Sequence, residues 1–217
     1  MTDIENRCRI VLVTPDLPEP EDARRAVDDA LRGGDVASVI VPQYDADERT
    51  FQKCAEALVP VIQDAGAAAL IAGDPRVAAR TKADGLHVEG GRDAMAEAIE
   101  RYAPGMIVGG GRAKDRHSAL ELGELRPDYL FLGKLEGDIK AEPHPKNLDL
   151  GQWWASMVEI PCIVMGGQSI GSVVAVAENG VEFVALRHAV FANPGNAAMA
   201  VAEANALLDE KAPRFED

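Results

Sequence analysis

An apolar run at 162–165 (CIVM) stops at Gly166-Gly167-Gln168-Ser169, and another at 183–186 (FVAL) stops at Arg187-His188. Glycine has no Cβ, so a glycine pair lets an anion reach bare backbone N–H groups. Arginine adds donors of the kind that hold a phosphate oxygen. The chemistry on offer, if folding joins the two stretches, is phosphate binding at Gly166, Gly167, Arg187 and His188. The structural alternatives are a turn leading into a helix at the glycines and a surface salt bridge at Arg187. Two more cations, Lys134 and Lys140, follow the run at 129–132. They either meet a ligand or offset the adjacent Glu136 and Asp138. His87, inside the run at 85–88, reads as a core residue.

Something must position these stretches. Apolar runs recur at 9–14, 37–41, 68–72, 85–88, 106–109, 129–132, 162–165 and 183–186. They do not alternate with polar residues, so each is expected to bury both faces, as strands of a parallel sheet do. Segments of helical period lie between them, such as Phe51-Ala55-Leu58-Val59-Ile62. Trp153-Trp154 falls in the sixth of these, where packing or a subunit contact is expected. Eight strands alternating with helices predict an α/β protein of the (β/α)8 TIM-barrel type. The rival is a doubly wound sheet, but no G-x-G-x-x-G follows the first run; Thr14-Pro15-Asp16 does. Residues 1–217 read as one barrel domain, with 211–217 expected to be a loose tail. In such barrels the loops after strands seven and eight commonly form a phosphate site, which strengthens the phosphate reading.

Bulk composition excludes some partners. The chain has 217 residues and a formal net charge of -14. That balance repels nucleic acid and anionic membranes, yet a small phosphorylated ligand needs only a local cluster of donors. Three cysteines, far apart and without a CxxC pair, suggest a reducing compartment. No run approaches the roughly 18 apolar residues of a membrane span. The N-terminal residues lack a signal-peptide pattern, so a soluble cytoplasmic protein is expected.

The ordered segments Ala83-Asp84-Gly85-Leu86-His87-Val88, Pro127-Asp128-Tyr129-Leu130-Phe131-Leu132-Gly133 and Ile160-Pro161-Cys162-Ile163-Val164-Met165-Gly166-Gly167 carry a resemblance. The chain resembles the thiamine phosphate synthase/TenI family along nearly its whole length. That resemblance implies a (β/α)8 barrel of thiamine biosynthesis. It implies transfer of a hydroxymethylpyrimidine from its pyrophosphate to a thiazole phosphate, with Mg²⁺ and release of pyrophosphate. It implies a small phosphorylated heterocycle as partner, and a homodimer. Asp74 matches the family's metal-binding Asp after the third strand, although an Asp before Pro75 also has the form of a helix cap. The family's Gln-x-Arg-x-Lys after the second strand is absent here, where Gln43-Tyr44 stands, and the threonines of its sixth loop are also missing. These departures imply impaired or altered transfer. The TenI branch, a thiazole tautomerase, implies His117 as a proton shuttle. A catalytically inactive phosphate-binding or regulatory barrel is the remaining alternative.

Overall fold

The structure, a computed structural model, describes residues 6–16, 19–193 and 195–215. Its strands are β1 (Arg9–Val13), β2 (Ser38–Pro42), β3 (Ala68–Ala72), β4 (Gly85–Val88), β5 (Ile107–Gly110), β6 (Tyr129–Leu132), β7 (Cys162–Met165) and β8 (Phe183–Leu186). They pair in parallel in sequence order, and β8 returns to β1 with Ile10 opposite Val184, closing a barrel. The expected (β/α)8 architecture is therefore observed.

The strands lack alternation because both faces are buried. Ile10 and Leu12 belong to the apolar layer between barrel and helices, whereas Val11 and Val13 belong to the separate cluster inside the barrel. Successive side chains leave a strand on opposite faces, so each strand must be apolar throughout.

The outer helices are α1 (Pro20–Leu31), α2 (Glu48–Asp64), α3 (Pro75–Thr81), α4 (Arg92–Tyr102), α5 (Arg116–Gly123), α6 (Pro145–Met157), α7 (Ser172–Ala177), α8 (His188–Phe191) and α9 (Ala197–Lys211). Their starts follow local chemistry. Asp47 accepts from the N–H groups of Arg49 and Thr50, and Asp115 caps α5 reciprocally with Ser118. At the bottom of the barrel three carboxylates brace neighbouring strands. Asp84 accepts from Ala69 N–H (2.7 Å), Asp128 from Val108 N–H (2.7 Å) and Glu182 from Cys162 N–H (2.9 Å). Asp84 and Asp128, both in the resemblance-bearing segments, thus work at the end of the barrel away from the loops that hold function.

The expected loose segment begins inside α9. Beyond it Arg214 bridges Arg7, and Phe215 N–H donates to Asn6 O (3.0 Å); residues 216 and 217 lie outside the described residues. The Arg7 guanidinium is buried against Asp209, Asn205 and the Cys8 carbonyl. Among the described residues no helix is long and apolar enough to cross a membrane.

Trp154 fastens α6 to the barrel. It is fully buried, its indole N–H donates to Ile160 O (2.7 Å), and Gly123 leaves space for its ring, since a Cβ there would lie 2.6 Å from it. Trp153 beside it takes the Arg116 guanidinium over its face at 5.1 Å. Trp154→Ala should cost about 3–5 kcal/mol, read as a lower urea midpoint at unchanged slope. A midpoint equal to wild type would refute this packing role.

Candidate functional site

The residues that follow β2 to β6 surround a cavity of about 530 Å³ over the barrel mouth. Gln43, Tyr44 and Asp45 come from loop two, His87 and Glu89 from β4 and the turn after it, and Arg112 from loop five. Phe131 comes from β6, and loop six adds Lys134, Leu135 and Glu136. Aromatic rings and charges of both signs share one opening.

The four residues expected to hold phosphate do converge beside this mouth, but their donors are already engaged. Loop six, 133–144, folds back over them. Gln168 N–H donates to Lys140 O (2.8 Å) and Ser169 N–H to Ala141 O (3.0 Å). Gly167 N–H donates to Ser172 Oγ (3.0 Å), and Gly166 N–H to Ala185 O (2.9 Å). Gly167 is glycine for a physical reason: a Cβ there would collide with the Ala141 carbonyl. The bare backbone admits the protein's own loop.

The arginine is filled in the same way. Arg187 Nε and Nη2 donate to Asp138 Oδ1 (3.0 and 2.7 Å), and His188 N–H donates to Asp138 Oδ2 (2.6 Å). The Asp138 side chain is fully buried, while that of Arg187 is 20% exposed. Glu136 lies 3.7 Å from Arg187 Nη1 on the solvent side. The Tyr44 phenol, near enough to Arg187 to feel its charge, donates to Thr14 O (2.5 Å). Burial pushes that phenol up to about 12, with Arg187 pulling the other way, so it keeps its proton. The side chain of His188 is exposed, and its backbone alone takes part. The Asp138 carboxylate joins loop six to loop eight, and Tyr44 joins the loop after β2 to the one after β1.

The remaining expected residues separate. Lys134 lines the mouth; the side chain of Lys140 is exposed, and its carbonyl covers the glycine turn. His117 lies in the first turn of α5 with its side chain 86% exposed, 3.7 Å from Glu121, and is not among the residues lining the mouth. The histidine at the mouth is His87. Leu86 packs in the outer layer, so its neighbour points inward. The His87 ring meets the Tyr129 hydroxyl through Nδ1 (2.9 Å) and sits edge-on to Phe131 at 5.1 Å. Burial lowers its pKa to about 3, so the imidazole is neutral. Strand alternation is the signal that identifies it.

Asp74 works as a cap. Its carboxylate accepts from Arg76 N–H (2.9 Å) and is gripped by the Arg76 guanidinium at 2.5–3.1 Å. Those bonds, the guanidinium first, hold its pKa below the usual carboxylate range. Among the described residues no three His, Cys, Asp or Glu side chains are grouped to hold a metal ion. The residues present do not fit a preformed Mg²⁺ site, because the one carboxylate assigned to it is already neutralised by a guanidinium.

Residues 10–190 match the family model described as Thiamine monophosphate synthase. A protein of Rhodospirillum centenum named thiamine-phosphate synthase is 31% identical over 209 residues, covering 96% of this chain and 99% of its own. One of Hyphomonas neptunium with the same name is 29% identical over 221 residues, covering 95% and 96%. The solved thiamine phosphate pyrophosphorylase of Pyrococcus furiosus superposes with a TM-score of 0.78 at 23% identity, covering 95% of this chain and 98% of that one. The chain belongs to the thiamine monophosphate synthase family and so to thiamine biosynthesis.

Removing one partner of a buried ion pair strands the other. Asp138→Ala should cost about 3 kcal/mol and lower Tm by roughly 6–12 °C, at about 2–4 °C per kcal/mol for a chain of this size. Calorimetry reads this, and an unchanged Tm would mean that loop six does not depend on the pair. The depressed pKa of His87 sets a second expectation. Between 6.5 and about 3 the unfolded chain binds a proton that the folded chain refuses, so stability falls as pH drops through that window. His87→Gln should remove this part of the pH dependence of urea unfolding; an unchanged profile contradicts it.

Proposed function

We propose that this family member carries out the family's transfer reaction in an impaired form. A hydroxymethylpyrimidine passes from its pyrophosphate to a thiazole phosphate held at the barrel mouth, giving thiamine phosphate and pyrophosphate. The family binds these two substrates and generally uses Mg²⁺. What supports the reading is a formed mouth cavity on a barrel of that family, with flat side chains, Tyr44, His87 and Phe131, suited to ring-shaped ligands.

One observation carries the impairment. Negative charge builds on the departing pyrophosphate as its bond breaks, and fixed cations speed the reaction by meeting it there. Loop two brings Gln43, Tyr44 and Asp45 to the mouth, and no cation. Tyr44 is tied to Thr14, and Arg187 is neutralised by Asp138. Across the whole mouth, Arg112 and Lys134 face Asp45, Glu89 and Glu136. A pyrophosphate entering there meets more carboxylates than cations.

Purified protein, given both substrates and Mg²⁺, should form thiamine phosphate about a hundredfold or more slower than the Rhodospirillum centenum protein assayed beside it. Mass-spectrometric quantification of product measures this. Equal rates would overturn the impairment.

A further inference from the structure

Loop six, 133–144, runs from β6 to α6 without helix or strand of its own. Connections of that length are uncommon in compact domains and usually have a function. Two of its side chains pin it down. Leu135 is buried among the apolar residues inside the barrel, in the cluster of Phe131 and Met165. Three residues on, the Asp138 carboxylate is shut off from water against Arg187 and His188. The residues beside these pins stay in solvent: the Glu136 side chain is exposed, and Ile139 is 73% exposed. Hydrogen bonds within the loop are local, from Gly137 N–H to Lys134 O (2.9 Å) and from Ile139 N–H to Gly137 O (3.0 Å). The loop takes no part in the strand ladder, so it is free to lift without unmaking the core.

Beneath it lies an intact set of anion donors. Arg187 Nε and Nη2 and the His188 amide converge on one carboxylate at 2.6–3.0 Å. The amides of Gln168 and Ser169 are held by the same loop, through the carbonyls of Lys140 and Ala141. Donors gathered around a guanidinium suit any compact anion, not a side-chain carboxylate alone. One flank of the set is reachable from solvent. There Arg187 Nη1 faces Glu136 at 3.7 Å, too far for a hydrogen bond. Lys134, Leu135 and Glu136 also line the mouth, so a lifted loop six joins the donor set and the mouth into one space.

We propose that loop six is an autoinhibitory strap, in which Asp138 is a tethered competitor for the anion donors of loops seven and eight. A carboxylate on the same chain acts at an effective concentration on the order of millimolar or higher, which shuts out dilute anions. A free anion shifts the strap only as far as it prefers the open form over the closed one. External anions are thus kept off this side of the barrel by the strap, and not by any loss of donors. The strap does not depend on the transfer reading.

Deleting the carboxylate and supplying it from solution tests the strap. Formate is the group that Asp138→Ala removes, and orthophosphate is a larger anion whose entry requires loop six to move. Asp138→Ser is measured beside it, in case the alanine variant is too unstable to purify. Either anion, at about ten times its Kd, should raise the Tm of these variants by about 3–6 °C more than that of wild type, through mass action on the folded state. Formamide, of the same size and uncharged, should not. The His188 amide resonance should move with added formate in the variants and stay in place in wild type. In the double variant Asp138→Ala/Arg187→Met, which removes both charges, the rescue should vanish. An equal rise in Tm for wild type and variants, no rise in either variant, a shifted His188 amide in wild type, or a rescue that survives the loss of Arg187 would each overturn the strap.

Discussion

The arrangement at the top of this barrel depends on one buried carboxylate. Asp138 lies in the middle of loop six with its side chain shut off from water and three donors around it, two from the Arg187 guanidinium and one from the His188 amide. Taking a carboxylate out of water costs several kcal/mol unless its oxygens are met by donors. Here they are met, and the requirement fixes where loop six can lie. Once Asp138 is seated, the carbonyls of Lys140 and Ala141 fall on the amides of Gln168 and Ser169. A bare glycine turn, an arginine and a backbone amide form a set of donors suited to an anion, and the anion they hold belongs to the protein.

That self-filling leaves the donors of loops seven and eight engaged within the protein. Positive charge is spent at loop eight on Asp138, and loop two contributes none to the mouth. Arg112 and Lys134 are the cations that line the mouth. The barrel keeps the family's scaffold. Barrel loops vary without cost to the core, because the strands below are held by their own apolar layers and by carboxylates at the opposite end.

The scaffold was the legible part of the sequence. The runs at 68–72, 85–88, 129–132, 162–165 and 183–186 coincide with β3, β4, β6, β7 and β8, and the other three strands differ only by a residue at their ends. Burial on both faces writes itself as unbroken apolar sequence bounded by turns, which is a local signal. The convergence of Gly166, Gly167, Arg187 and His188 was legible too, since strand order alone places loops seven and eight side by side. What fills them was not. Asp138 stands nearly fifty residues before Arg187 and reads locally as one of several charges offsetting Lys134 and Lys140. Its meaning comes from a loop fold that has no periodicity. His117 and His87 show the same limit from the other side. A histidine after a glycine run looked suited to proton transfer but is exposed on α5, whereas the one hidden in a strand faces the mouth. Asp74, with its two readings, serves as a cap because Arg76 is within reach of its carboxylate.

The central claim, that loop six occupies the anion donors of loops seven and eight, is tested most directly by amide hydrogen exchange in the ligand-free protein, resolved by NMR. The amides of Gln168, Ser169 and His188 should be protected to a similar degree, opening together as loop six lifts. Exchange of these three at the rate of free loop amides would contradict the claim and return the cradle to an external phosphate.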